Sequence, residues 1–526
     1  MPERQQTIIE LAASVPEAQI FGGNAVVYSV VHDSRDVRPG ALFVAVVGEK
    51  FDGHRFVGGA VASGAAAVVV QSDRAGEFAD LAVPRIVVPS TRAALAPLAC
   101  RFYGDPTRAL YLAGVTGTNG KTTTVRMIDA IARAAGDRTG VIGTLGAIID
   151  GHDLPGERTT PEASDLQRMF AEMRDAGVAS VAIEVASHAI AMRRIEGCLF
   201  DVCVFTNLTQ DHLDFHGTMG AYRDTKLRLF TEYADAARAG GKTFSAVINN
   251  DDESGRYFAD SISKECRVLR YGERDSRLPG PDISYDPAEA VKRIDAVEFI
   301  AVVRDSEYAW LVNGPRQQFV NGGLVNIPVK LPFGGEFNIY NALAAVGYGV
   351  ACGLSPEVIA AGLAACPPVP GRFQPVRAGQ DFAVLVDYAH TPDGLDNVLR
   401  SARPLTGGRL IVVFGCGGDR DRTKRPKMGG IAGDLADLAF VTSDNPRTES
   451  PDAIIDEIMT GMDGVRAVVF RQPDRRAAIS EAIRFARSSD TVVIAGKGHE
   501  TYQIIGDTPL PFDDARVAAE EIRNAA

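Results

Sequence analysis

The stretch GVTGTNGKTTTVRMI, residues 114–128, limits the folds open to this chain more than any other. The preceding RALYLAGV is a short apolar run of the kind that forms a buried strand, and TTTVRMIDAIARAAG carries apolar residues at helical spacing. Strand, glycine loop and helix in that order make a phosphate-binding unit. The glycines let consecutive backbone N–H groups face an anion, while the helix N-terminus and a lysine add positive charge. Gly117, Thr118, Asn119, Gly120, Lys121, Thr122 and Thr123 are the candidate nucleotide contacts, with Thr122 placed to meet Mg²⁺. The usual pattern leaves four residues between the outer glycines, whereas Gly114 and Gly120 leave five.

Strand-like runs that end in polar residues continue through the chain, and with 526 residues there is room for about three or four domains. We expect an α/β protein of three domains. A small N-terminal α/β domain over 1–106 holds ALFVAVVG, AAAVVVQ and PRIVVPS. A central P-loop ATPase-like domain over 107–367 has a mostly parallel sheet built from SVAIEVASH, VCVFTNLT and FSAVINNDD. A doubly wound, Rossmann-like domain over 368–526 holds FAVLVDYAH, RLIVVFGCGGD, LAFVTSDNP and TVVIAGKGHE. The proline-rich AACPPVPGRFQPV marks a hinge between the last two. A formal charge of −12 excludes a surface wholly adapted to nucleic acid. The absence of an apolar run near the roughly 20 residues of a membrane helix, and of a signal-peptide core, points to a cytoplasmic protein without membrane insertion. Seven scattered cysteines with no CxxC pair suggest reduced thiols.

Ligands of open α/β sheets bind at strand ends. Glu184 and His188 follow one such strand, and Asp211 and His212 follow another. Carboxylate and imidazole beside a phosphate loop can ligate the metal of a nucleotide, although capping and loop hydrogen bonds use the same residue types. Lys226 interrupts an apolar stripe of Tyr222, Leu229, Phe230 and Tyr233. A lysine so placed ordinarily snorkels; one that is truly buried needs a partner or a chemical change.

The motifs GTNGKTT, TTPE, EVASH, TNLTQDHLDFHG followed by Lys226, GEFNIYNALAA, VPGRF, VDYAHTPD, FGCGGDRDRTKRP, DNPR and AGKGHE resemble, in order and across all three blocks, those of the Mur ligases. Within that family they are most similar to the branch that adds the third amino acid to UDP-N-acetylmuramoyl-L-alanyl-D-glutamate in peptidoglycan synthesis. The resemblance implies that ATP phosphorylates the terminal carboxylate of the dipeptide and that an amine then displaces phosphate to form an amide. It implies catalytic roles for Lys121, His212 and Lys226, and two Mg²⁺ ions held with the help of Thr122, Glu184, His212 and Lys226. The lysine is carbamylated by CO₂ in the family, which turns an ammonium into an anion.

Further contacts carry over from the same resemblance. Ser34, with Glu49, Lys50 and Phe51, matches the uridine site, while Thr159, Thr160, Ser187 and Arg194 match contacts to the muramoyl dipeptide. Asn338, Asn341, Arg372, Asp387 and His390 match ATP contacts, and domain closure about the hinge is expected. Arg420, Asp444, Asn445, Arg447, Gly496 and Glu500 match the amino-acid site, where the arginine of DNPR implies meso-diaminopimelate, whose second carboxylate it can grip. The chain departs from the family at Ala186, Met192 and Gln374, where serine, glutamine and glutamate are common. The partners expected are the UDP-linked dipeptide and meso-diaminopimelate, with no nucleic acid, and the protein is expected to be a monomer. L-Lysine or L-ornithine as acceptor, the related ligases MurF and folylpolyglutamate synthetase, a P-loop ATPase without ligase activity, and an inactive subunit that only binds nucleotide or partners are the other readings.

Overall fold

The computed structural model describes residues 4–48, 51–154, 156, 158–274, 281–304 and 324–525. The chain forms two compact units, Met1–Arg270 and Tyr271–Ala526, and the division falls within the strand Arg267–Glu273.

Besides a short antiparallel pair, Gln6–Thr7 with Val26–Val27, the first unit contains two larger sheets. In the N-terminal one the strands run in the order Gln19–Phe21, Arg85–Val88, Ala67–Gln71, Ala41–Val44 and Ser29–Val31, parallel except at the first pair. β-Branched runs such as AVVVQ suit strands buried on both faces. Leu42, Val44 and Val69 face one apolar cluster, while Phe43, Val68 and Val70 face another.

The central sheet places Tyr111–Thr116 between Ser180–Glu184 and Val202–Phe205. Thr139–Gly143 lies beyond the former and Ser245–Asn249 beyond the latter, all parallel. Five parallel strands bring their C-terminal ends to one edge, so the loops after residues 116, 184 and 205 emerge side by side. Gly146–Ile149 and His152–Leu154 add an antiparallel hairpin at the border of this sheet.

The second unit begins with Ile283–Tyr285, parallel to the end of Arg267–Glu273, followed by antiparallel strands of which Val297–Val303 and Val325–Leu331 pair along their full length. The helices Phe337–Ala351 and Pro356–Ala365 follow. A six-stranded sheet then runs in the order Gln374–Pro375, Ala383–Asp387, Thr491–Ala495, Leu410–Phe414, Leu438–Val441 and Val468–Arg471, parallel but for its first pair. Helices cover both faces: Leu395, Met428 and Ile455 pack on one, and Ile479, Ile483 and Val517 on the other. The expected α/β class, with a mostly parallel central sheet and a doubly wound C-terminal sheet, is therefore found. The antiparallel strands at 146–154 and 283–331 were not expected, although VNIPVKL alternates buried and exposed residues as a half-buried strand should. Among the described residues no helix is long and apolar enough to cross a membrane.

Candidate active site

The glycine loop is shaped by its neighbours. Gly120 caps the helix Lys121–Ala134 in the left-handed conformation, and a Cβ on Gly117 would lie 1.9 Å from the Thr206 hydroxyl oxygen. Thr118 N–H donates to the Asn207 carbonyl (2.8 Å), Asn119 N–H to the Asn207 side-chain oxygen (2.9 Å), and Thr206 Oγ to the Asn119 carbonyl (2.6 Å). The loop is thus held from the adjacent strand end. Lys121 Nζ donates to the carbonyls of Gly117 (3.0 Å) and Thr118 (2.8 Å).

Lys226 reaches the same loop and does not snorkel. It is 1% exposed, and its Nζ donates to the Gly117 carbonyl (3.0 Å) while lying 4.7 Å from the centre of the Tyr222 ring. The apolar stripe around it is broken into the helix Met219–Leu227, a 3₁₀ turn at Arg228–Phe230 and the helix Glu232–Ala239. Burial, reinforced by Lys121, holds the Lys226 amine well below the ordinary lysine range, against the pull of Asp211.

At the next strand end Glu184 is buried, accepting from Thr144 N–H (2.8 Å) and Thr144 Oγ (3.1 Å). Glu184 and Thr122 line one small cavity together with Arg126 and Gly143. His212 stands in the left-handed region at φ 52°, with Nε2 3.4 Å from Asp211 Oδ2. Burial lowers its pKa despite Asp211, and His188, Lys121 and Lys226 add to the effect. The rings of His188 and His212 lie 4.7 Å apart. Among the described residues no group of three or more His, Cys, Asp or Glu side chains is arranged to hold a metal by itself.

Thr159 and Thr160 lie close to Glu184. The Thr160 hydroxyl is buried, donating to the Glu184 carbonyl (2.7 Å) and accepting from Ala186 N–H (3.1 Å), so Thr159 is the more open of the pair. Ser187 Oγ meets His216 Nε2 at 2.9 Å. Arg194 donates from Nε to Glu162 Oε1 (2.9 Å). Glu162, 4% exposed, also receives Arg92 and Arg158; burial would raise its carboxyl, but Arg194 and Arg92 hold it low. Nothing in the sequence singles out this carboxylate as the hub of three guanidiniums. Ser34 opens a 3₁₀ turn capped by Asp33, and Phe51 is 67% exposed; Glu49 and Lys50 lie outside the described residues.

The second unit holds the remaining candidates. Asn338 and Asn341 are buried at the start of one helix, where Asn341 Nδ2 donates to Asn338 Oδ1 (2.9 Å). Asp387 accepts from Phe373 N–H (2.7 Å) and Ala389 N–H (2.9 Å), and burial pushes its carboxyl up against the opposing charge of Arg372. Arg372 lies over the Tyr388 ring at 4.6 Å, and the His390 ring is tilted against the same ring with centroids 4.5 Å apart. Gln374 Oε1 accepts from Gly371 N–H (2.8 Å), a bond that the glutamate common in the family could equally accept.

Asp444, Asn445, Gly496 and Glu500 come together after the ends of Leu438–Val441 and Thr491–Ala495, the two strands that flank Leu410–Phe414. Asn445 Nδ2 donates to Glu500 Oε2 (2.8 Å), and a Cβ on Gly496 would lie 2.5 Å from Asp444 Oδ2. That oxygen is buried and has no hydrogen-bond partner among the described residues. Arg447, in the left-handed region at φ 51°, donates from Nη1 to the Gly418 carbonyl (2.8 Å). Arg420 is exposed, on the loop that Gly418 belongs to. A residue not anticipated, Arg425, is fully buried and binds Glu449 (2.8 Å) and Glu457 (2.8 Å), while Glu449 also accepts from Asp419 N–H (2.6 Å). Chiefly through Arg425, the Glu449 carboxyl is pulled down to about 2. The loops bearing Arg420 and Arg447 are thereby fastened to each other.

Three family models match the chain: the Mur ligase family, catalytic domain at 26–103, the Mur ligase middle domain at 115–349, and the Mur ligase, glutamate ligase domain at 371–498. The chain is 43% identical over 502 residues to a UDP-N-acetylmuramoyl-L-alanyl-D-glutamate--2,6-diaminopimelate ligase of Geobacillus thermodenitrificans, covering 95% of this chain and 96% of that one. It is 45% identical over 492 residues to the ligase of the same name from Gloeobacter violaceus, covering 93% and 92%. A solved structure of a protein with this name superposes with a TM-score of 0.63 at 31% identity, over 95% of each chain.

Proposed function

The chain belongs to the Mur ligase family, and from that membership we propose that it is an ATP-dependent ligase joining meso-diaminopimelate to UDP-N-acetylmuramoyl-L-alanyl-D-glutamate. A carboxylate is a poor electrophile. Its oxygen therefore attacks the γ-phosphorus of ATP, ADP leaves, and the acceptor amine then attacks the acyl-phosphate carbon, losing a proton as inorganic phosphate departs. Little covalent chemistry falls to the protein, which must position reactants and stabilise charge on transferring oxygens.

Lys121 and the backbone of residues 117–123 are assigned to the nucleotide phosphates, with Asn338, Asn341, Arg372, Asp387 and His390 as further nucleotide contacts. Thr122 and Glu184 offer hard oxygen donors to one cavity, which fits Mg²⁺. With His212 and Lys226 as a carbamate they would hold the two Mg²⁺ ions, whose charge neutralises phosphate oxygens. Burial favours the free amine of Lys226, the form whose nitrogen bonds to CO₂ with loss of one proton. Ser34, Glu49, Lys50, Phe51, Thr159, Thr160, Ser187 and Arg194 are assigned to the UDP-linked dipeptide. Residues 1–106, 107–367 and 368–526 are the proposed domains for that substrate, for ATP and for the amino acid, in a cytoplasmic monomer.

The observation that carries the acceptor is the nest in the second unit. A buried, unpartnered carboxylate oxygen on Asp444, beside Glu500, suits an ammonium, and Arg447 on the same loop as Asp444 suits a further carboxylate. Inorganic phosphate release is the test, measured with the UDP-dipeptide and a panel of amino acids. It should need both substrates and be fastest with meso-diaminopimelate. Release without any amino acid would favour a plain ATPase.

A further inference from the structure

Lys497 lies within AGKGHE, yet none of the roles above uses it. It follows the strand Thr491–Ala495 between two glycines at positive φ, Gly496 (116°) and Gly498 (54°). A Cβ on Gly496 would lie 2.5 Å from Asp444 Oδ2, and one on Gly498 would lie 2.7 Å from Tyr388 Cβ. The backbone is therefore pressed against its neighbours on both sides of the lysine, whose side chain is 0% exposed.

The Lys497 ammonium donates to Glu500 Oε2 (2.8 Å) and Asn445 Oδ1 (3.1 Å), and it lies 5.6 Å from the centre of the Tyr502 ring. Asn445 Oδ1 also accepts from Ile504 N–H (2.9 Å), and its Nδ2 donates to Glu500 Oε2 (2.8 Å). Both ends of the amide are thus committed, and Lys497 fixes which end faces which partner. On the carboxylates the pattern is lopsided. Glu500 Oε2 takes two donors and Oε1 none among the described residues; Asp444 Oδ1 accepts from Asn445 N–H (2.7 Å) and Oδ2 has no partner.

Burying an ammonium is costly, and an ion pair of this kind commonly stabilises a fold no better than well-packed apolar side chains would. Its presence is better explained by orientation. We infer that Lys497 is a positioning residue for the amino-acid acceptor: by holding Glu500 Oε2 and Asn445 Oδ1 it leaves Glu500 Oε1 and Asp444 Oδ2 to receive the acceptor's ammonium. One lysine against two carboxylates leaves a single negative charge for one ammonium. The inference rests on reading this nest as the acceptor site.

Steady-state kinetics with ATP, the UDP-dipeptide and meso-diaminopimelate test it on the full-length enzyme. A wild type that does not ligate meso-diaminopimelate would remove the acceptor reading itself, and this inference with it. In an active wild type, Lys497→Met should raise KM for meso-diaminopimelate about tenfold and leave KM for ATP and the UDP-dipeptide within about twofold. Because the lysine acts through Glu500, adding Lys497→Met to Glu500→Gln should cost less than about threefold more in kcat/KM for the amino acid. An unchanged KM for meso-diaminopimelate, equal rises in all three KM values, or a further tenfold loss in the double variant overturns the inference. Should Lys497→Met leave Glu500 as an unpaired buried charge and fail to fold, the neutral double variant compared with Glu500→Gln decides alone. Unfolding of both lysine variants would make Lys497 structural, and the inference would fall.

Discussion

Two lysines converge on the Gly117 carbonyl oxygen, and their surroundings assign them different chemistry. Lys121 heads a helix at a half-buried position, where an ammonium can turn from its loop carbonyls to phosphoryl oxygens. Lys121→Ala should cut ligation by at least about 100-fold, the effect of a few kcal/mol of lost transition-state stabilisation, with the fold intact by circular dichroism. Near-wild-type turnover in a folded variant would remove that role. Lys226 is sealed from solvent, so an unpaired ammonium there is unfavourable, whereas a carbamate anion can be paired with a cation. Lys226→Ala should be nearly inactive and partly restored by a short carboxylic acid in solution. Full activity of this variant, together with an unmodified lysine in a high-resolution map, would contradict carbamylation. The loop lysine was legible from GKT, and Lys226 was legible as an anomaly because charge at an apolar position stands out. Glu162, Arg425 and Lys497 lie within TTPE, FGCGGDRDRTKRP and AGKGHE, but their burial was not legible, since a charged residue near a loop usually faces water and only the fold shows otherwise.

At the scale of elements, the proposed amino-acid site depends on how two loops close on each other. A Cβ on Gly418 would lie 1.9 Å from the Pro446 carbonyl oxygen, and one on Gly417 would lie 3.0 Å from Arg447 Nη1, so these glycines permit the approach. Thr448 Oγ donates to Asp419 (2.8 Å), and Glu449 joins Arg425 to the Asp419 backbone. Arg447 therefore projects from a fixed loop. An arginine left without its carboxylate costs about 2 to 5 kcal/mol, so the enzyme should strongly prefer meso-diaminopimelate over lysine and ornithine. Arg447→Ala should lose most diaminopimelate activity with little change in KM for ATP or the UDP-dipeptide. Kinetics with all three amino acids at one pH and Mg²⁺ concentration decide the matter. Equal use of lysine by the wild type, or an undiminished preference in the variant, would refute the acceptor while leaving the ligase chemistry standing. The parallel strands around both sites were legible because they are unbroken apolar runs ending in polar residues. The hairpin Tyr502–Ile505 with Thr508–Pro511, which supplies Ile504 N–H to Asn445, was not, because its residues are largely exposed and carry no buried periodicity.

The largest scale is where sequence and structure divide the chain differently: three blocks by motif and composition, two compact units by packing. A block is a domain in the physical sense if it covers its own sheet. In the last block Leu385, Val412 and Val493 face one cluster, while the residues beside them, Val384, Val386, Ile411, Val413, Val492 and Ile494, face the other. Helices Pro392–Ala402 and Lys424–Leu435 close the first face, and Arg475–Phe485 and Asp514–Ala525 close the second. Beneath the acceptor loops the Arg475–Asp514 pair is fully buried, and the arginine also donates to the carbonyls of Ser443 (3.3 Å) and Ala495 (3.0 Å). Every partner in that network lies within 368–526. Among the described residues outside this range, only Ile294 and Phe337 pack on the first cluster, the latter with its ring 5.6 Å from Phe373. A fragment of about 160 residues should bury roughly 70% of the surface its unfolded chain exposes, enough for independent folding. Residues 368–526 expressed alone should therefore give one cooperative thermal transition with native near-ultraviolet circular dichroism, at a temperature somewhat below that of the full chain because Phe373 loses a neighbour. A fragment that melts without cooperativity and binds a hydrophobic dye would show that residues 271–367 complete its core, making the two-unit division the physical one.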